Sequence, residues 1–149
     1  MPIPMPDPEP SPSTPQPKDP STLPPEALAL AAKLFDYARA GDVPSLSQYL
    51  TAGIPTNLTN HEGNTLLMLA AYNGQKETVE LLLSKNADTN VLNARGQSPI
   101  AGAVFKGYDE IVKLLVKGGA DIRLGQPNAI DCARMFKREE ALSIMGVEE

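Results

Sequence analysis

The apolar residues of this chain repeat on two scales, a short spacing nested in a longer one. Val79, Leu82 and Leu83 lie at helical spacing, and so do Ile111, Leu114 and Leu115, which puts each set on one face of a helix. Each set follows a shorter segment with a small-residue pair, Ala70-Ala71 in one case and Ala103-Val104 in the other. Thr65 and Ser98 stand before those shorter segments, where a side-chain oxygen can take an exposed amide of a helix start. Pro99 fits the first helical position, where no amide partner is lost. Gly74 and Gly107 end the shorter helices, and Asn86 and Gly119 end the longer ones at places that suit a left-handed residue. Residues 60–64 and 93–97 are polar turns. The pattern predicts helix-turn-helix units joined by projecting hairpin fingers.

The longer scale is a period of 33 residues. Gly63 falls on Gly96, Gly74 on Gly107, Glu77 on Glu110, Leu81-Leu82 on Leu114-Leu115, and Ala87-Asp88 on Ala120-Asp121. The same step backwards carries Gly74 to Gly41, Asn86 to Gly53 and Asn90 to Asn57. Forwards the spacing shortens: residues 128–133 match residues 98–103 at a step of 30, and the pattern stops at Met145. A fixed period of this length marks stacked repeats, which need roughly 3 units to cover one another. The expected division is a Pro-rich tail over 1–24 and a repeat domain over 25–146. Within the domain we place a degenerate first unit over about 25–59, units over 60–92 and 93–125, and a capping unit over 126–146. The fold class is all-α, a solenoid without a sheet.

Several anchors recur together: Thr65-Leu66-Leu67, Ala70-Ala71 and Ala87-Asp88-Thr89-Asn90 in one unit, Ser98-Pro99-Ile100 and Gly119-Ala120-Asp121-Ile122 in the next. In these the chain resembles the ankyrin-repeat family over about residues 26 to 146. The Thr-Leu-Leu-Met and Ser-Pro-Ile-Ala-Gly-Ala variants look like those of small, stand-alone ankyrin proteins from microbes. One departure is consistent. Where the family often has His after Leu, this chain has Met68, Ala101 and Asp131, which puts in doubt the hydrogen bond that His usually makes to a neighbouring loop.

The resemblance implies a binding module that meets a protein partner on its concave side, through finger tips and first helices. Mapped by position, that side carries His61, Glu62, Asn64, Tyr72 and Asn73 from the second unit. The third adds Arg95, Gln97, Phe105 and Lys106, and Arg39 extends the strip. Tyr72 and Phe105 lie one period apart. They either stand exposed as aromatic anchors of an interface or fill space against the next unit. The implied role is adaptor or stabiliser, with a stoichiometric inhibitor or regulator of an enzyme or transcription factor as the alternative.

Composition narrows this. Of the 15 prolines, 11 lie in the first 25 residues, a stretch with few large apolar residues that cannot bury a core. It contains the Pro-x-x-Pro spacing twice, at residues 12–15 and 17–20, either a linker or a ligand for aromatic grooves. The net charge is −5, of which the tail supplies −2 through Asp7, Glu9, Asp19 and Lys18. That disfavours nonspecific binding to nucleic acid or anionic lipid. The tail has no apolar run of a signal peptide, no stretch approaches a membrane span, and the one cysteine fits a reducing compartment. We expect a cytoplasmic monomer, also nuclear if the source is eukaryotic. Arg134, Lys137 and Arg138 read as a solvated helix face beside Glu139 and Glu140.

Catalytic chemistry needs partners that are not evident here. His61 is the single histidine, and Cys132 falls at a small apolar position suited to a buried thiol. One His and one Cys, far apart, do not make a zinc site. Neither a phosphate loop nor a dinucleotide fingerprint is present. The expectation is a protein that is not an enzyme and carries no cofactor or metal.

Overall fold

Eight helices, four inner and four outer, form the molecule over the residues that the structure, a computed structural model, describes, 25–147. In chain order they are α1 (Pro25–Ala40), α2 (Val43–Thr51), α3 (Leu66–Tyr72), α4 (Lys76–Ser84), α5 (Pro99–Lys106), α6 (Asp109–Lys117), α7 (Ala129–Met135) and α8 (Glu139–Ile144). No named strand occurs among the described residues; one isolated bridge, Thr59 to Thr65, closes the base of a finger. The Pro-rich stretch over 1–24, with its Pro-x-x-Pro spacing, lies outside the described residues.

The odd-numbered helices stack in one row, α1 on α3 on α5 on α7, and the even-numbered in a second row, α2 on α4 on α6 on α8. Each inner helix also packs on the outer helix that follows it. The core is therefore a continuous layer between the rows. Leu34, Leu46, Leu66, Leu67, Val79, Leu82, Ile100, Val112 and Leu115 lie fully buried in it. Each such side chain contributes roughly 1.5–3 kcal/mol by leaving water, and the cover is shared between a unit and its neighbours.

Local chemistry sets the helix ends. Thr65 Oγ accepts from Met68 N at 3.0 Å, Ser98 Oγ from Ala101 N at 3.2 Å, and Asn128 Oδ1 from Asp131 N at 2.8 Å. Each takes an amide that the first helical turn leaves unpaired. At the inner-to-outer turns, Gly41, Gly74 and Gly107 have φ near +76°, +75° and +78°. The last such turn uses Lys137, at φ 53°.

The residues that open the outer helices tie the units together. Gln75 Nε2 donates to Arg39 O at 2.8 Å, and Arg138 Nη2 donates to Phe105 O at 2.8 Å. Between them the Tyr108 ring lies over Gly74, so close that a Cβ there would sit 3.0 Å from the ring. Arg138 is accordingly not part of a solvated face. It is half-buried, opens α8 and holds the end of α5. Its charge suggested solvent; its position at a unit boundary gave it a carbonyl instead.

Candidate functional site

The two described fingers are built on asparagines one period apart. Asn60 Oδ1 accepts from Glu62 N and Asn64 N, each at 3.0 Å. Asn93 Oδ1 accepts from Arg95 N at 2.9 Å and Gln97 N at 3.0 Å. An asparagine that folds its side chain back on the next amides fixes a tight turn. The fingers are then laced to each other. Ala94 N donates to Glu62 O at 2.9 Å, and Gln126 N donates to Gly96 O at 3.0 Å. At Gly63 the approach is close enough that a Cβ would lie 2.9 Å from Ala94 N.

Asn93 does more than hold its own turn. Its Nδ2 donates to Asn64 Oδ1 and Gln97 Oε1, both at 2.8 Å, and faces Met68 Sδ at 3.8 Å. Met68 stands where the family often has His. A contact between inner helix and neighbouring finger is thus kept at this position: Asn93 supplies the donor, and the thioether is a weak acceptor.

Between fingers and inner helices lies a cleft of about 620 Å³. Its lining includes Arg39, His61, Glu62, Asn64, Tyr72, Asn73, Arg95 and Gln97. The structure therefore brings together seven of the nine residues that the sequence points to, and Arg39 with them. Phe105 borders an adjoining groove instead. Lys106 reaches back so that its Nζ lies 5.0 Å from the centre of the Tyr72 ring, a cation over an aromatic face. Three of the amides have internal duties. Asn64 and Gln97 accept from Asn93, and Asn73 Nδ2 donates to Leu69 O at 2.7 Å. His61, Glu62 and Arg95 are exposed on the fingers at the cleft.

Both readings of the aromatic pair hold in part. Tyr72 and Phe105 are 44% and 41% exposed. They also stack on each other, 6.5 Å apart and 6° from parallel. Phe136 continues the row, edge-on to Phe105 with ring centres 4.9 Å apart. Phe136 and Met135 are 43% and 62% exposed, and sequence reasoning missed both. The step of 30 that aligns residues 128–133 with 98–103 also sets Met135 on Phe105 and Phe136 on Lys106, so the same register extended three residues further would have found them. Gly102, inside α5, makes the seat for this row: a Cβ there would lie 3.3 Å from Tyr72 Cδ1. A glycine in a helix interior costs about 1 kcal/mol against Ala, and here it lets a tyrosine lie against the helix.

Charged and reactive groups add little chemistry. Cys132 is buried, with Sγ 3.6 Å from Ala101 O. Burial pushes its thiol above the ordinary range, and the positive charge of Arg138 opposes this more weakly. Arg39 pairs with Asp36 at 2.9 Å on the exposed surface. Among the described residues no group of three or more His, Cys, Asp or Glu side chains is placed to hold a metal ion, and no helix is long and apolar enough to cross a membrane.

Comparison with known proteins agrees with this geometry. A family model of ankyrin repeats in three copies matches residues 28–126. A curated protein of Pseudomonas aeruginosa, PA3287, carries an ankyrin-repeat name and is 53% identical over 49 residues. That match spans 33% of this chain and 29% of the relative, so the chain covers less than a third of the relative's length.

Proposed function

This chain belongs to the ankyrin-repeat family, and from that premise we propose that it binds a protein partner across its fingers and inner helices. Ankyrin repeats are in general protein–protein interaction modules. The observation that carries the reading here is the continuity of the cleft with the exposed row of Tyr72, Phe105 and Phe136. Interfaces concentrate their energy in aromatic anchors surrounded by polar groups. This wall offers three aromatics, flanked by His61, Glu62, Arg95 and Lys106.

The mechanism is presentation of a surface fixed before the partner arrives. Asn60 and Asn93 already hold the finger turns, and Asn93 braces the amides of Asn64 and Gln97. Groups ordered in advance lose less freedom on binding. We assign the chain the role of a cytoplasmic, monomeric adaptor or stabiliser without catalytic activity. A tagged chain provides the test: the double variant Tyr72→Ala/Phe105→Ala should stay folded and lose a partner that the parent chain retains by cross-linking in its native cell. Retention of that partner by the folded double variant overturns the assignment.

A further inference from the structure

Asn93 decides which halves of two neighbouring side-chain amides are left for a ligand. Its Nδ2 donates to Asn64 Oδ1 and to Gln97 Oε1, both at 2.8 Å. Each amide is thereby held by its oxygen, and the NH2 half of each has no partner among the described residues. An amide held in this way has two donors to offer. Asn64 and Gln97 both line the main cleft.

Charged donors line the same cleft. Arg95 on the second finger and Arg39 at the end of α1 are both exposed there. A guanidinium presents a planar fork that matches a carboxylate. Lys106 holds a third cation over the Tyr72 ring. Glu62 is the one carboxylate in the lining, and Asp36 pairs with Arg39 from beside it. That pair is exposed on both sides, so water and salt weaken it and leave Arg39 open to exchange. Three cations thus meet two carboxylates here, in a chain whose net charge is −5.

We infer that the partner enters this cleft with an acidic segment, an extended stretch carrying two or more Asp or Glu side chains. This rests on the partner-binding reading and names the partner's chemistry. One carboxylate takes the NH2 groups of Asn64 and Gln97 together with Arg95, since its two oxygens accept about four hydrogen bonds. The next reaches Arg39. Beyond a Debye length of about 8 Å the acidic remainder of the chain is screened, so spaced carboxylates feel the local cations. A nucleic-acid strand, charged along its whole length, would run on from the cleft over surface of the opposite balance.

The test titrates the full, isotope-enriched chain at about 0.15 M ionic strength. The probes are a blocked peptide of alternating Glu and Leu, the same peptide with Gln in place of Glu, and single-stranded oligothymidylate. The Glu peptide should shift the side-chain NH2 signals of Asn64 and Gln97 and the backbone amide of Arg95, while amides of α4 and α6 stay in place. The Gln peptide should bind the parent chain at least about tenfold more weakly, and Arg39→Gln/Arg95→Gln should weaken the Glu peptide by a similar factor with helical content unchanged. Equal affinity for the two peptides, shifts on the outer helices instead of the cleft, or no shift at all overturns the inference. Oligothymidylate bound as tightly as the Glu peptide overturns it too, because the cleft would then select phosphate. The partner-binding reading is scored separately, on the cross-linked partner: its loss from Tyr72→Ala/Phe105→Ala upholds that reading even where the peptides fail.

Discussion

Lys137 turns the chain from α7 into α8 at φ 53°, where the three preceding units use glycine. A side chain costs roughly 1–2 kcal/mol in the left-handed region, partly offset by the freedom that glycine brings to the unfolded chain. Lys137→Gly should raise stability by up to about 1 kcal/mol, read as a later urea midpoint; an earlier midpoint contradicts the reading. Cys132 gives a second prediction at this scale. Burial holds its thiol proton past the pH at which the unfolded chain releases it. The unfolded state then binds fewer protons than the folded one, so stability is full below the ordinary thiol range and falls as pH rises through it. Cys132→Ala should flatten that alkaline fall, and an unchanged slope would show that the thiol is not its source. The burial of Cys132 was legible from its place among small apolar residues. The conformation of Lys137 was not, because the shortened loop before α7 obscures that it stands where Gly107 does.

The fingers are the elements on which the candidate site depends, and Asn93 is their joint. It accepts from two amides of its own turn and donates to the turn before. Asn93→Ala removes these contacts together, each worth about 1 kcal/mol. We expect faster hydrogen exchange at Ala94, Arg95 and Gln97, while amides within α4 and α6 keep their protection. Equal loosening everywhere would place Asn93 in the core's stability rather than in the fingers. The finger turns themselves could be read from polar residues between helix signals. The lacing between them could not, since Asn64 and Asn93 lie 29 residues apart and meet only through the spacing of stacked units. Arg138 was misread for the same reason: its charge is visible in the sequence, and the Phe105 carbonyl it serves is 33 residues away.

At the scale of the whole molecule, the repeat period carried the architecture. Among the described residues, eight helices in two rows follow from caps, glycines and apolar spacing that recur together. The resemblance to ankyrin repeats, mapped along that period, pointed to most of the cleft lining, and equivalent positions in stacked units face the same way. It left open how the aromatics divide between exposure and contact, which depends on ring packing between α3, α5 and α7. Because each unit is covered by its neighbours, a deletion in the core should spread. Leu115→Ala empties a fully buried site and should cost roughly 2–5 kcal/mol. A urea midpoint left where it was would mean that the units do not lean on one another. The recognition wall is tested most directly by titrating a partner identified by cross-linking into the parent chain and into Tyr72→Ala/Phe105→Ala, with helical content checked for both. Two anchors worth at least about 2 kcal/mol each predict a loss of several hundredfold in affinity or more. Equal affinity in two equally folded proteins would show that the wall of Tyr72 and Phe105 is not where the partner binds.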